Sequence, residues 1–70
     1  MRHTPRFHCP DASLHAGAVL ALSASAAHHA RVVLRLRDGD AVTLFNARDG
    51  EWQGAVDQAD KRGVTVTLGA

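Results

Sequence analysis

The stretch His28-His29-Ala30-Arg31-Val32-Val33-Leu34-Arg35-Leu36-Arg37-Asp38-Gly39-Asp40 divides the 70-residue chain into two kinds of local order. Ahead of it lies an Ala/Ser run with helical spacing. Behind it, apolar residues alternate as they do in strands. At about 100° per residue, Ala26, Ala30, Val33 and Leu34 fall on one side of a helix, with Ala27 at the edge of that side. His28, Arg31 and Arg35 fall within about 60° of one another on the other side. The spacing predicts an amphipathic helix over residues 24–35, with small residues inward and a cationic stripe outward. Ser23 or Ser25 supplies the N-cap hydroxyl. The helix should end near Leu36, because Asp38-Gly39-Asp40 is turn chemistry.

Working outward, Ala41-Val42-Thr43-Leu44-Phe45 reads as a strand with Val42 and Leu44 on one face. Asn46 to Gly50 is a hairpin connection whose Asp49-Gly50 pair supplies the turn glycine. Glu51 to Val56 is the partner strand, carrying Trp52, and Asp57 to Gly63 is a polar turn. Val64-Thr65-Val66-Thr67-Leu68 alternates apolar with hydroxyl residues. Upstream, Arg6-Phe7-His8-Cys9 is a short strand anchored by Phe7 and closed by Pro10-Asp11. Residues 10–16 are loop, and Ala18 to Leu22 is a second short apolar strand. The expected fold is a single α+β domain over residues 1–70, mostly β, built as a small barrel of about five strands capped by one helix. Phe7, Phe45 and Trp52 are expected in the core.

Composition narrows the function. One cysteine, Cys9, cannot make an intrachain disulfide, so a disulfide scaffold is excluded and a reducing, cytoplasmic setting is expected. No apolar run approaches the ~20 residues that span a bilayer, so no membrane partner is expected. Net charge is only +1, yet it is unevenly spread. Residues 1–37 carry Arg2, Arg6, Arg31, Arg35 and Arg37 against Asp11, whereas residues 38–70 carry three cations against six acids. Such asymmetry permits a basic face suited to phosphate. The preference for arginine over lysine suits phosphate forks, and a GC-rich coding sequence would produce it equally.

Catalytic chemistry finds little support. His28 and His29 are adjacent and would point about 100° apart on a helix, so they cannot chelate one ion together. His3, His8 and His15 lack a second cysteine or a ligand pair at zinc spacing. Cys9 has no evident base and reads as a small buried residue. Asp38/Asp40 shape a turn, and Asp57/Asp60 sit in a polar loop without a cleft. No glycine-rich phosphate loop is present, so no cofactor is expected in this domain. The cationic stripe is different: arginine forks grip phosphates, and a histidine can stack on a base. Arg37 lies just beyond the stripe, and Lys61 and Arg62 would join it if the barrel brings their turn round. An ordinary solvated helix face would show the same spacing.

The order of residues adds a resemblance. The run His29-x-x-x-Val33-Leu34-Arg35-Leu36-Arg37-x-Gly39-Asp40, followed by Leu44-Phe45 and preceded by Pro5-Arg6-Phe7, resembles the N-terminal domain of the RsmE family. Those bacterial enzymes methylate a uridine of 16S ribosomal RNA at N3. The resemblance covers nearly all 70 residues and implies a PUA-like, RNA-binding β-barrel. It also implies a C-terminal knotted SPOUT-type domain that binds S-adenosylmethionine, carries the active site as a dimer, and lies outside this chain. Arg6, His29, Arg35 and Gly39 occupy family motif positions. Gly39 would be the turn glycine ahead of the third strand, and Arg6 and Arg35 candidates for RNA contact or for holding the basic edge. The family often has Pro where Asp38 stands and an Asp-Gly pair where Asn46-Ala47 stands; both changes fall in turns. The resemblance thus implies an RNA-binding domain that positions small-subunit ribosomal RNA for S-adenosylmethionine-dependent methylation elsewhere, its contacts drawn from Arg35, Arg31, His28, His29, Arg37, Arg6, Lys61 and Arg62. The alternative is a protein-interaction barrel that packs on the catalytic domain or a second subunit.

Overall fold

Alternating apolar residues build the sheet of the computed structural model, which describes residues 4–69. Arg2 and His3, which figure in the charge and metal arguments, lie outside that range. In chain order the elements are β1 (Arg6–His8), β2 (Val19–Ala21), α1 (Ala24–His28) continued by a π-helical turn (His29–Val33), β3 (Ala41–Asn46), β4 (Gly50–Asp60) and β5 (Gly63–Leu68). They form one five-stranded mixed sheet in the order β1-β3-β4-β5-β2. Only β1 and β3 are parallel; the rest of the sheet is antiparallel. The expected small α+β domain, mostly β with one short helix, is what the chain forms. The sheet curls until its two edges face each other across a groove of about 310 Å³, lined by His8 and Cys9 on one side and Leu20 to Leu22 on the other.

The core sits inside the curl. Leu44, Leu68, Val42, Val64 and Val66 are fully buried, with Phe7, Leu14, Leu22 and Val56 around them. Burying each of these apolar side chains is worth about 1.5–3 kcal/mol. Gly54 faces Leu68 and Val66 across the β4–β5 ladder, and a Cβ there would lie 2.6 Å from the Thr67 carbonyl oxygen. The close approach of the two strands at this point depends on its missing side chain. Ser23 caps α1, its hydroxyl accepting from the Ala26 N–H at 3.2 Å.

Five expectations need correction. The α-helix is shorter than residues 24–35, because at His29 the backbone widens into a π turn. The Leu34 N–H bonds to the His29 carbonyl and the Leu36 N–H to the Ala30 carbonyl, five and six residues back. Fewer degrees per residue change the phase of the face. Ala27 and Ala30 are therefore the buried residues, and Val33 and Leu34 are 61% and 39% exposed rather than inward. Arg35 lies beyond the helix with φ of 54° and is not part of the His28–Arg31 stripe. Strand β4 runs on through Asp57–Asp60, so the expected polar loop shrinks to Lys61-Arg62. A bulge between Val56 and Gln58 breaks the alternation that would have revealed it. Phe45 stands half-buried outside the core cluster, stacked on His8 with ring centroids 5.1 Å apart. Trp52 is half-buried against the core, as its position on β4 requires.

Candidate nucleic-acid interface

The helix and the β4–β5 turn meet at one end of the sheet. Alanines at 24 and 27 keep that side of α1 thin, and Gly63, with φ of 146°, reverses the chain directly after Lys61-Arg62. The result is a cleft of about 200 Å³ lined by Ala24, Ala27, His28 and Arg31 from the helical segment and by Asp60, Lys61, Arg62 and Gly63 from the turn. Three permanent cations and a histidine thus converge from segments some thirty residues apart.

One carboxylate, Asp60, lines the same cleft, and its hydrogen bonds run away from the cations' side chains. Its Oδ2 accepts from Gln58 Nε2 at 2.8 Å and its Oδ1 from the Arg62 backbone N–H at 2.8 Å. Among the described residues, ion pairs form only between Arg6 and Glu51 and between Arg48 and Asp49. The side chains of Arg31, Lys61 and Arg62 therefore keep their donors available, and such unpaired guanidinium and ammonium groups are the chemistry that grips phosphate oxygens.

The remaining sequence-predicted residues lie elsewhere. His29 begins the π turn with an exposed ring and does not line the cleft. Arg35 and Arg37 line a separate, larger groove of about 590 Å³ beside Thr4, Pro5, Leu36, Asp40 and Ala41. Gly39, at φ of 90°, turns the chain from that groove into β3, the place its motif position implies. Arg6 sits on the outer face of β1, paired with Glu51 at 2.6 Å and with its guanidinium carbon 4.8 Å from the Phe45 ring centroid. The stack of Arg6, His8 and Phe45 was missed by sequence reasoning. The signal was present: Arg6 and His8 alternate with buried Phe7, so they share the outer face of β1.

A polar hub pins the long loop after β1. Asn46 Nδ2 donates to the carbonyls of Cys9 and Ala12 at 3.1 and 3.0 Å, while Asn46 Oδ1 accepts from the Asp49 N–H at 2.6 Å. The Leu14 N–H, donating to Asp49, holds the Asp49 carboxyl below its ordinary pKa, with Arg48 adding to the effect. Partial burial pushes the Cys9 thiol up, away from the reactive thiolate form.

Residues 22–69 match the family model described as "RNA methyltransferase PUA domain". No curated protein sequence matches the chain. Solved structures that share its fold include two methyltransferases. The putative methyltransferase Lpg2936 from Legionella pneumophila, solved with its bound cofactor SAM, is 32% identical with a TM-score of 0.87, over 99% of this chain and 28% of that one. The ribosomal RNA small subunit methyltransferase E from Neisseria gonorrhoeae, solved with S-adenosyl methionine, is 26% identical with a TM-score of 0.82, over 94% of this chain and 27% of that one. The chain therefore spans little more than a quarter of each protein. The mixed sheet with its single short helix, the motif run from His29 to Asp40 and the match over residues 22–69 agree, and the chain belongs to the RNA methyltransferase PUA domain family.

Proposed function

We propose that this domain binds small-subunit ribosomal RNA through the cleft between the helical segment and the β4–β5 turn. In this reading it positions a uridine for methylation at N3 by a separate catalytic domain. The supporting observation is the convergence of His28, Arg31, Lys61 and Arg62 from two segments around one cleft, with the three permanent cations outside any ion pair among the described residues. Phosphate binding uses such donors for register and leaves sequence reading to other contacts. S-adenosylmethionine and the transfer step belong to the catalytic domain, and no residue of this domain is assigned to either. The full-length protein is read as a cytoplasmic dimer that joins this domain to a C-terminal SPOUT-type domain.

The test is titration of the chain with a small-subunit ribosomal RNA fragment at several salt concentrations. Log affinity should fall by about 0.7 per neutralised phosphate for each tenfold rise in salt on a single strand. Arg31→Ala and Lys61→Ala should each weaken binding and flatten that slope while leaving the melting temperature within about 2 °C, because their charged ends carry no fold contact. Unchanged affinity in both variants refutes the assignment.

A second reading, a protein-docking surface, is favoured by Val32, Val33 and Leu34, which are 48%, 61% and 39% exposed at the end of the π turn and its C-cap. A titration with the separately expressed catalytic domain distinguishes the two: chemical-shift changes confined to that titration would favour docking.

A further inference from the structure

Five described residues have positive φ, and four of them are glycines: Gly17, Gly39, Gly50 and Gly63. The fifth is Arg35, at φ of 54°. A side chain in the left-handed region crowds its own carbonyl, which is why helix C-termini usually place glycine there. The backbone has a clear use for the conformation, since it lets the Leu36 N–H reach back to the Ala30 carbonyl at 2.9 Å. Glycine would serve that bond at lower cost. The arginine side chain offers the fold nothing in exchange: it is exposed, and among the described residues it makes no hydrogen bond or ion pair.

Its surroundings suggest what it is kept for. The left-handed turn takes Arg35 off the His28–Arg31 stripe and sets it in the groove it shares with Arg37. Arg37 is held by its own backbone, whose N–H donates to Asp40 Oδ2 at 2.9 Å, so the one carboxylate of the groove is engaged with main chain. Thr4 and Pro5 line the same groove. A volume near 590 Å³ falls within the roughly 300–1,000 Å³ of small-ligand sites, and the two arginines that line it carry planar guanidinium forks of the kind that pair with phosphate oxygens.

We infer that Arg35 is a strained binding residue, held in the left-handed conformation so that its guanidinium grips a second RNA phosphodiester in the groove beside Thr4 and Pro5. The inference rests on the RNA-binding reading above and adds to it a separate contact whose presence lowers the stability of the fold.

Arg35→Gly tests both halves at once. It should raise the melting temperature by about 4 °C, the relief of side-chain crowding less the greater unfolded-state freedom of glycine. It should also weaken binding of a small-subunit ribosomal RNA fragment roughly tenfold at low salt and lower the salt slope by about 0.7. Arg35→Lys should keep the wild-type melting temperature and slope, with affinity between the two. A melting temperature that is unchanged or lower in Arg35→Gly overturns the strain argument. RNA affinity unchanged in Arg35→Gly overturns the phosphate contact and leaves the groove to a protein partner. Weakening by Arg35→Gly alone, with Arg31→Ala and Lys61→Ala silent, would sink the cleft and keep the groove.

Discussion

Asn46→Asp is a nearly isosteric change with a large expected cost. Asn46 is 6% exposed, and its Nδ2 donates to two backbone carbonyls, of Cys9 and Ala12, and to Asp49 Oδ2 at 3.3 Å. An aspartate would turn an oxygen toward all three acceptors. Both carbonyls keep a second donor, the Ala12 N–H for Cys9 at 3.3 Å and Arg48 Nη2 for Ala12 at 3.0 Å, so the two lost bonds cost about 1 kcal/mol each, and the new charge faces the Asp49 carboxylate. About 3 kcal/mol is the expected loss once the repulsion is added, against a total stability of roughly 3.5–10 kcal/mol for a chain of this length. The melting temperature should fall by about 12 °C or more at pH 7. Asn46→Ala adds no charge but also removes the Oδ1 acceptor of the Asp49 N–H, so it should cost about as much at pH 7. Toward pH 3 Asn46→Asp should become the milder of the two, because a protonated carboxyl no longer repels Asp49. Thermal unfolding followed by circular dichroism at both pH values reads all of this. A pH 7 melting temperature for Asn46→Asp within a few degrees of wild type would refute the hub as the anchor of the loop over residues 9–14.

The other expectations concern strand closure and acid. Gly54→Ala would place a Cβ 2.6 Å from a backbone oxygen, so the usual small gain from replacing glycine should reverse to a loss of about 1–3 kcal/mol; a variant that melts at or above the wild-type temperature contradicts the close strand approach. The Asp49 pKa is lowered on folding, so its carboxylate stabilises the native state fully above its ordinary value of 3.8. That contribution is lost as pH falls through this value toward the folded one. Asp49→Asn should flatten this acid limb of stability against pH, and an identical limb in variant and wild type would assign the acid sensitivity to other carboxylates.

The legible parts of the fold are those where local pattern and tertiary structure agree. Val42 and Leu44 are buried as the period of two requires, Val64-Thr65-Val66-Thr67-Leu68 lies in the sheet centre beside β4, and Ser23 caps the helix. The helix end was not legible, because no glycine marks it and the apolar run from Val32 to Leu34 imitates a buried face. Nor was the second half of β4, where polar Asp57, Gln58 and Asp60 occupy strand positions. Asp57 accepts there from the Thr67 hydroxyl of β5, a cross-strand partner that single-sequence patterns do not reveal. The cleft could be stated only as a condition. Whether Lys61 and Arg62 meet His28 and Arg31 depends on the β4–β5 register and on where α1 packs, and neither is encoded in spacing along the chain.

The strand order has a further consequence for life at high concentration. Both borders of the sheet are formed by strands of three residues, β1 and β2, while the eleven-residue β4 is enclosed between β3 and β5. An incoming chain that tries to add a strand finds only a stub of free ladder at either border, one end of which is already followed by Pro10. The long, β-branched segments that could template a fibril have both flanks occupied as long as the sheet holds. Protection against self-association is thus built into the topology, and it lasts until the meander of β3, β4 and β5 opens.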